Sequence, residues 1–131
     1  MINFLSSSSH SLLAVARSDS SVEVWSTRLT PALQFVIHPP PHSDDVSVES
    51  LVWAGERLFS CGLHGQVVEY DLDKRQELRR YPVTSGPAWT MAIDRNCSRL
   101  AVGTEDGFVC LFGITGEGLE YEKVSQIITI I

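Results

Sequence analysis

A chain of 131 residues with 44% apolar and 20% charged side chains has the balance of a globular domain, too apolar to stay disordered and long enough to bury a core. Sixteen acidic residues against ten basic ones give a net charge of -6, the wrong sign for a protein that holds DNA or RNA by neutralising phosphates. Cys61, Cys97 and Cys110 are odd in number and lack CxxC spacing, which points away from a disulfide framework or a zinc site and towards a reducing compartment.

From the amino terminus, Met1 to Leu5 is apolar, but Ser6 to Ser9 interrupts it. No stretch reaches signal-peptide or membrane-spanning length, so the chain is read as intracellular and soluble. Next come Leu13 to Trp25, Leu58 to Tyr70 and Leu100 to Phe112, three segments that align without gaps. The distance is 45 residues from Leu13 to Leu58 and 42 from Leu58 to Leu100, matching the ~40–45 of a four-stranded propeller blade. Each copy reads as a β-hairpin closed by an aromatic: Trp25, Tyr70 and Phe112. Asp106-Gly107 and His64-Gly65 supply hairpin turns, the glycine tolerating the positive φ such turns need. Asp19-Ser20 lacks the glycine, so a looser turn or one of another type is expected there.

Other strands fall around the hairpins. Ser50 to Ala54 and Ala88 to Ile93 are apolar enough for buried inner strands. Ala32 to Ile37, Glu77 to Tyr81 and Leu119 to Val124 read as outer strands. The helix-friendly run Asp71 to Arg80 is short and polar and leads to Pro82, so it is taken as a connection. Pro39-Pro40-Pro41 and Ser85-Gly86-Pro87 mark loops. The predicted fold is an all-β, open propeller fragment of about three four-stranded blades: blade 1 about 1–37, blade 2 about 49–81, blade 3 about 88–124. A fourth blade is expected to start at about 126–131, where Ile127 to Ile131 reads as a β-prone inner strand.

Period, hairpin turn and terminal aromatic together resemble the WD40 repeat, whose units open on Gly-His and close on Trp-Asp. Here Pro41-His42 stands at the first place and Tyr70-Asp71 at the second. The runs Ser50 to Leu72, Gly86 to Ala92 and Leu100 to Ile114 resemble the amino-terminal propeller of the cirhin family of U-three small nucleolar RNA-associated proteins, and Leu13 to Trp25 fits its first blade. That resemblance implies a nucleolar scaffold in small-subunit ribosome assembly and pre-rRNA processing. Its partners would be proteins of a large ribonucleoprotein assembly, with pre-ribosomal RNA contacted indirectly. It also implies a longer parent, both ends of this chain falling within inner strands. Asp19 and Asp106 would support hydrogen-bond networks from the hairpins, and His42 would join Ser60 and Tyr70 in one; an exposed loop histidine is the alternative for His42.

Chemistry beyond binding finds little support. There is no G-x-S-x-G, no phosphate loop and no paired nucleophile and base. Neither a cofactor nor a small-molecule substrate is predicted. A metal site from His38, His42, Asp44 and Asp45 would need ligands converging from a proline-rich loop and is disfavoured. Cys61 and Cys110 read as core residues, and Cys97 as the one plausible reactive thiol. Lys74, Arg75, Arg79 and Arg80 either form a basic contact strip or a solvated strand, the latter favoured because Asp71, Asp73 and Glu77 interleave. An adaptor in ubiquitin ligation or trafficking is the rival binding role, since one fold hosts many functions. A propeller enzyme is the more distant rival.

Overall fold

A computed structural model describes residues 1–41, 47–83 and 86–126. These form twelve strands in three antiparallel sheets, each a simple meander. The first contains β1 (Ile2–Ser7), β2 (Leu12–Arg17), β3 (Val22–Ser26) and β4 (Ala32–Ile37). The second contains β5 (Ser50–Ala54), β6 (Arg57–Cys61), β7 (Gln66–Asp71) and β8 (Gln76–Pro82), and the third β9 (Ala88–Ile93), β10 (Arg99–Thr104), β11 (Phe108–Thr115) and β12 (Gly118–Gln126). No helix occurs among the described residues. The sheets lie face to face in chain order without closing into a ring, with β5 between β1 and β9. This is the expected open propeller fragment.

In the middle sheet β5, β6 and β7 are buried on both faces, and their sequence shows why. Along β6, Leu58 packs into a core shared with the first sheet, whereas Phe59 packs into one shared with the third. On β7, Val68 and Val67 divide in the same way. Successive strand residues point to opposite faces, so a strand sandwiched between two sheets needs a nearly continuous apolar run. Full burial of such a side chain contributes roughly 1.5–3 kcal/mol. Between the first two sheets the Trp53 indole donates to the Ser6 carbonyl at 3.0 Å, tying β5 to β1.

All three hairpin turns are alike. Ser20, Gly65 and Gly107 stand at the same repeat position with φ of 70°, 73° and 82°, and their amides donate to the carbonyls of Arg17, Gly62 and Thr104 at 3.0, 3.1 and 3.2 Å. The first turn is therefore neither looser nor of another type. A serine holds the left-handed conformation there, helped by Asp19, whose Oδ1 accepts from the Ser21 amide at 3.0 Å and the Ser21 hydroxyl at 2.6 Å. Ser20→Gly should relieve the strain and stabilise the chain by about 0.5–1 kcal/mol in urea unfolding. Destabilisation would show that the serine side chain, not the backbone, holds this turn.

A second repeated feature is invisible in the sequence. Register slips between Val24 and Trp25, between Glu69 and Tyr70, and between Leu111 and Phe112. Each outer strand thus carries one extra residue opposite the terminal aromatic: Gln34, Leu78 and Glu122. Such bulges bend and twist an edge strand, and Leu78 is left 46% exposed. Within the run Asp71 to Arg80, read as a connection, the connection is confined to a tight turn between β7 and β8, and the expected outer strand Glu77 to Tyr81 lies within β8. Asp71 Oδ1 accepts from the Lys74 amide at 2.9 Å, Arg75 takes a φ of 56°, and β8 begins at Gln76. At the carboxyl end β12 extends to Gln126; Ile127 to Ile131 lie outside the described residues.

Candidate functional site

The four basic residues weighed as a contact strip, with a solvated strand favoured, do not all lie on one face of the second sheet. The Arg75 guanidinium sits 5.0 Å from the Phe35 ring centroid in the first sheet. Arg80 is engaged by Glu77 through contacts of 2.8 Å and also donates to Gln66 at 3.2 Å; this pairing holds the guanidinium above its ordinary pKa. Arg79 lies opposite Glu69 on β7, facing the third sheet, while Arg80 lies opposite Val68, facing the first. The alternation of a strand thus separates neighbours in sequence.

The blade aromatics have distinct surroundings. Trp25 is half-buried and donates from Nε1 to Glu23 Oε1 at 2.9 Å. Glu23 also receives Arg17 at 2.9 Å, and its carboxyl is held below the usual range, chiefly by the Arg17 hydrogen bond. Tyr70 shares a buried 2.8 Å hydrogen bond with Ser60, and burial pushes its hydroxyl up to about 12. Two members of the anticipated His-Ser-Tyr set are therefore in contact; His42 lies outside the described residues. Phe112 is 2% exposed and meets Tyr81 and Tyr121 edge-on, with centroids 6.5 and 6.2 Å away.

Among the turn acids, Asp19 is held below its ordinary pKa by the Ser21 hydroxyl and amide and bonds within its own hairpin. Asp106 is exposed beside Gly86, where a β-carbon would come 3.3 Å from its Oδ2. Of the four residues weighed as metal ligands, His42, Asp44 and Asp45 lie outside the described residues. Among the described residues no group of three or more His, Cys, Asp or Glu side chains is placed to hold a metal ion.

Burial pushes the Cys61 thiol up to about 12, Cys110 is fully buried, and Cys97 is half-exposed. A thiolate is the reactive form. At pH 8 the native chain should react with a disulfide reagent at one thiol, Cys97, and at three only after denaturation. Rapid modification of Cys61 in the folded chain would contradict this.

An interaction that sequence reading missed joins the second and third sheets. Arg57 makes a bidentate pair with Glu69, Nε to Oε2 at 2.8 Å and Nη2 to Oε1 at 3.0 Å. The same guanidinium donates to the carbonyls of Thr115 and Gly118 and lies 5.3 Å from the Phe59 ring centroid. The hydrogen bond that it donates to Glu69 holds the Arg57 pKa above the ordinary arginine value. The only advance signal was a glutamate amid the buried run Val67 to Tyr70.

No protein-family model matches the chain. Individual proteins do. The chain is 39% identical over 112 residues, 85% of its length, to "U3 small nucleolar RNA-associated protein 4 homolog" of Homo sapiens. It is 37% identical over 109 residues, 79% of its length, to "U3 small nucleolar RNA-associated protein 4" of Saccharomyces cerevisiae, and 35% over 119 residues, 86% of its length, to that of Schizosaccharomyces pombe. It spans only 14–16% of the length of these relatives. Over most of its length the chain is similar in sequence to a stretch of U3 small nucleolar RNA-associated protein 4, and its three four-stranded antiparallel sheets are those of an open propeller fragment.

Proposed function

We propose that the chain is a non-enzymatic scaffold module acting in small ribosomal subunit biogenesis and pre-rRNA processing in the nucleolus. The observation that carries this reading is its 35–39% identity, over most of its length, to proteins named for association with U3 small nucleolar RNA. Its three sheets act as blades, assigned to about 1–37, 49–81 and 88–124, with a fourth beginning at about 126–131. Its partners are proteins of a large ribonucleoprotein assembly, and pre-ribosomal RNA is reached through them, in keeping with a net charge of -6 and the divided basic strip.

The test is co-sedimentation. Epitope-tagged chain expressed in cells should travel with large pre-ribosomal particles on a gradient and co-purify with U3 RNA. Quantitative recovery at the top of the gradient, with no U3 RNA enrichment, would remove the reading.

A further inference from the structure

Between the rims of the first two blades lies a cleft of about 620 Å³, within the ~300–1,000 Å³ typical of ligand sites. Four turns wall it: β1–β2, β3–β4, β5–β6 and β7–β8. Its floor is apolar, formed by Leu12, Trp53 and Leu72, and the bulged Leu78 adds an exposed apolar lip. The β5–β6 turn is a two-residue hairpin with Gly55 at a φ of 62°, which presents Glu56 at the mouth.

Charge decides what fits. Glu56, Asp71 and Asp73 line the cleft with Arg28, Arg57 and His10. Arg57 is committed to Glu69. Arg28, Glu56 and Asp73 form no ion pair among the described residues, and Asp71 binds only a backbone amide among the hydrogen bonds its side chain makes there. Three carboxylates thus face one uncommitted arginine and a histidine over an apolar floor. Such a field attracts cations and repels phosphate.

We propose that this cleft binds a basic, extended segment of a partner protein, an arginine or lysine reaching the acidic mouth while a neighbouring apolar side chain covers Leu12 and Leu72. The proposal deepens the scaffold reading by naming a surface and the chemistry of its partner, and it rests on that reading only in taking partner binding to be the chain's work.

The probe is a fluorescein-labelled nonapeptide of alternating leucine and arginine, titrated with the whole 131-residue chain and followed by anisotropy. Binding should weaken about tenfold in the Glu56→Gln/Asp73→Asn double variant. It should be unchanged in Glu117→Gln/Glu120→Gln, which removes the same charge from the β11–β12 hairpin of the third sheet. Amide chemical-shift changes should centre on Gly55 to Arg57 and Leu72 to Lys74. No binding, an equal loss in both variants, or tighter binding of a leucine–glutamate peptide or a uridine oligonucleotide would overturn the proposal. Because the readout is a peptide and not a ribosomal particle, this result and the co-sedimentation result can fail independently.

Discussion

Arg57→Met should destabilise the chain by about 3 kcal/mol, more than removal of its partner by Glu69→Leu. The two halves of this ion pair differ in burial: the Glu69 side chain is 5% exposed and that of Arg57 29%. Taking away the arginine strands a carboxylate in the interface between the second and third sheets, and an unpaired buried charge costs roughly 3–5 kcal/mol. Taking away the glutamate leaves a guanidinium that still reaches water and still has the Thr115 and Gly118 carbonyls as acceptors. The double variant Arg57→Met/Glu69→Leu should recover more than half of the single-variant loss, since apolar groups of similar volume often replace a buried pair without penalty. Urea unfolding of the four proteins closes the cycle. If the double variant is as unstable as the sum of the singles, the pair is not a coupled unit and the stranded-charge account is wrong.

The blades were legible because their signals are local. Strand alternation, the aromatic ending each hairpin and the glycines of two turns sit within a few residues of one another, and the 45- and 42-residue recurrence carried them through the chain. The Ser20 turn was misjudged because glycine was taken as the only residue for a left-handed position, whereas Asp19 supplies a local hydrogen-bond compensation that the sequence does not advertise. The outer strand Glu77 to Tyr81 was legible although it is solvated along most of its length, whereas the tight turn that joins it to β7 was hidden in the charged run Asp71 to Arg80. Arg79 and Arg80 appeared as one basic feature because adjacency in sequence is the opposite of adjacency on a strand face. The Arg57 clamp, whose partners lie 12 to 61 residues away in sequence, and the acidic cleft, lined from Ser8 to Leu78, were not legible, since each depends on how one sheet packs on the next. The shared bulges were hidden for a similar reason: Gln34, Leu78 and Glu122 have nothing in common except the backbone geometry opposite an aromatic.

Gly62 shows the same dependence on tertiary packing and gives a second large expected effect. In the aligned repeats its position is taken by Arg17 and Thr104, so no turn geometry demands glycine there, and its φ is not among the positive ones. Space demands it. A β-carbon on Gly62 would stand 2.1 Å from the Ser47 carbonyl oxygen and 2.8 Å from its carbon, main-chain atoms with no rotamer to yield. The surrounding bonds resist movement, because the Gly62 carbonyl accepts from the Gly65 and Ala88 amides at 3.1 and 3.0 Å, and the Leu63 amide donates to Ser47 Oγ at 2.7 Å. Gly62→Ala must therefore break contacts that join the second sheet to the segment before β5 and to the start of β9. Overpacking usually costs about 1–3 kcal/mol, and with backbone as the obstacle a loss of about 3 kcal/mol is expected. Gly107→Ala is the matched comparison: nothing lies within 4 Å of its added carbon, so only the strain at a φ of 82° remains, about 1 kcal/mol. In urea unfolding Gly62→Ala should be the more damaging by about 2 kcal/mol. An equal or reversed order would mean that the segment around Ser47 moves aside freely, and that the second and third blades are not locked to it through Gly62.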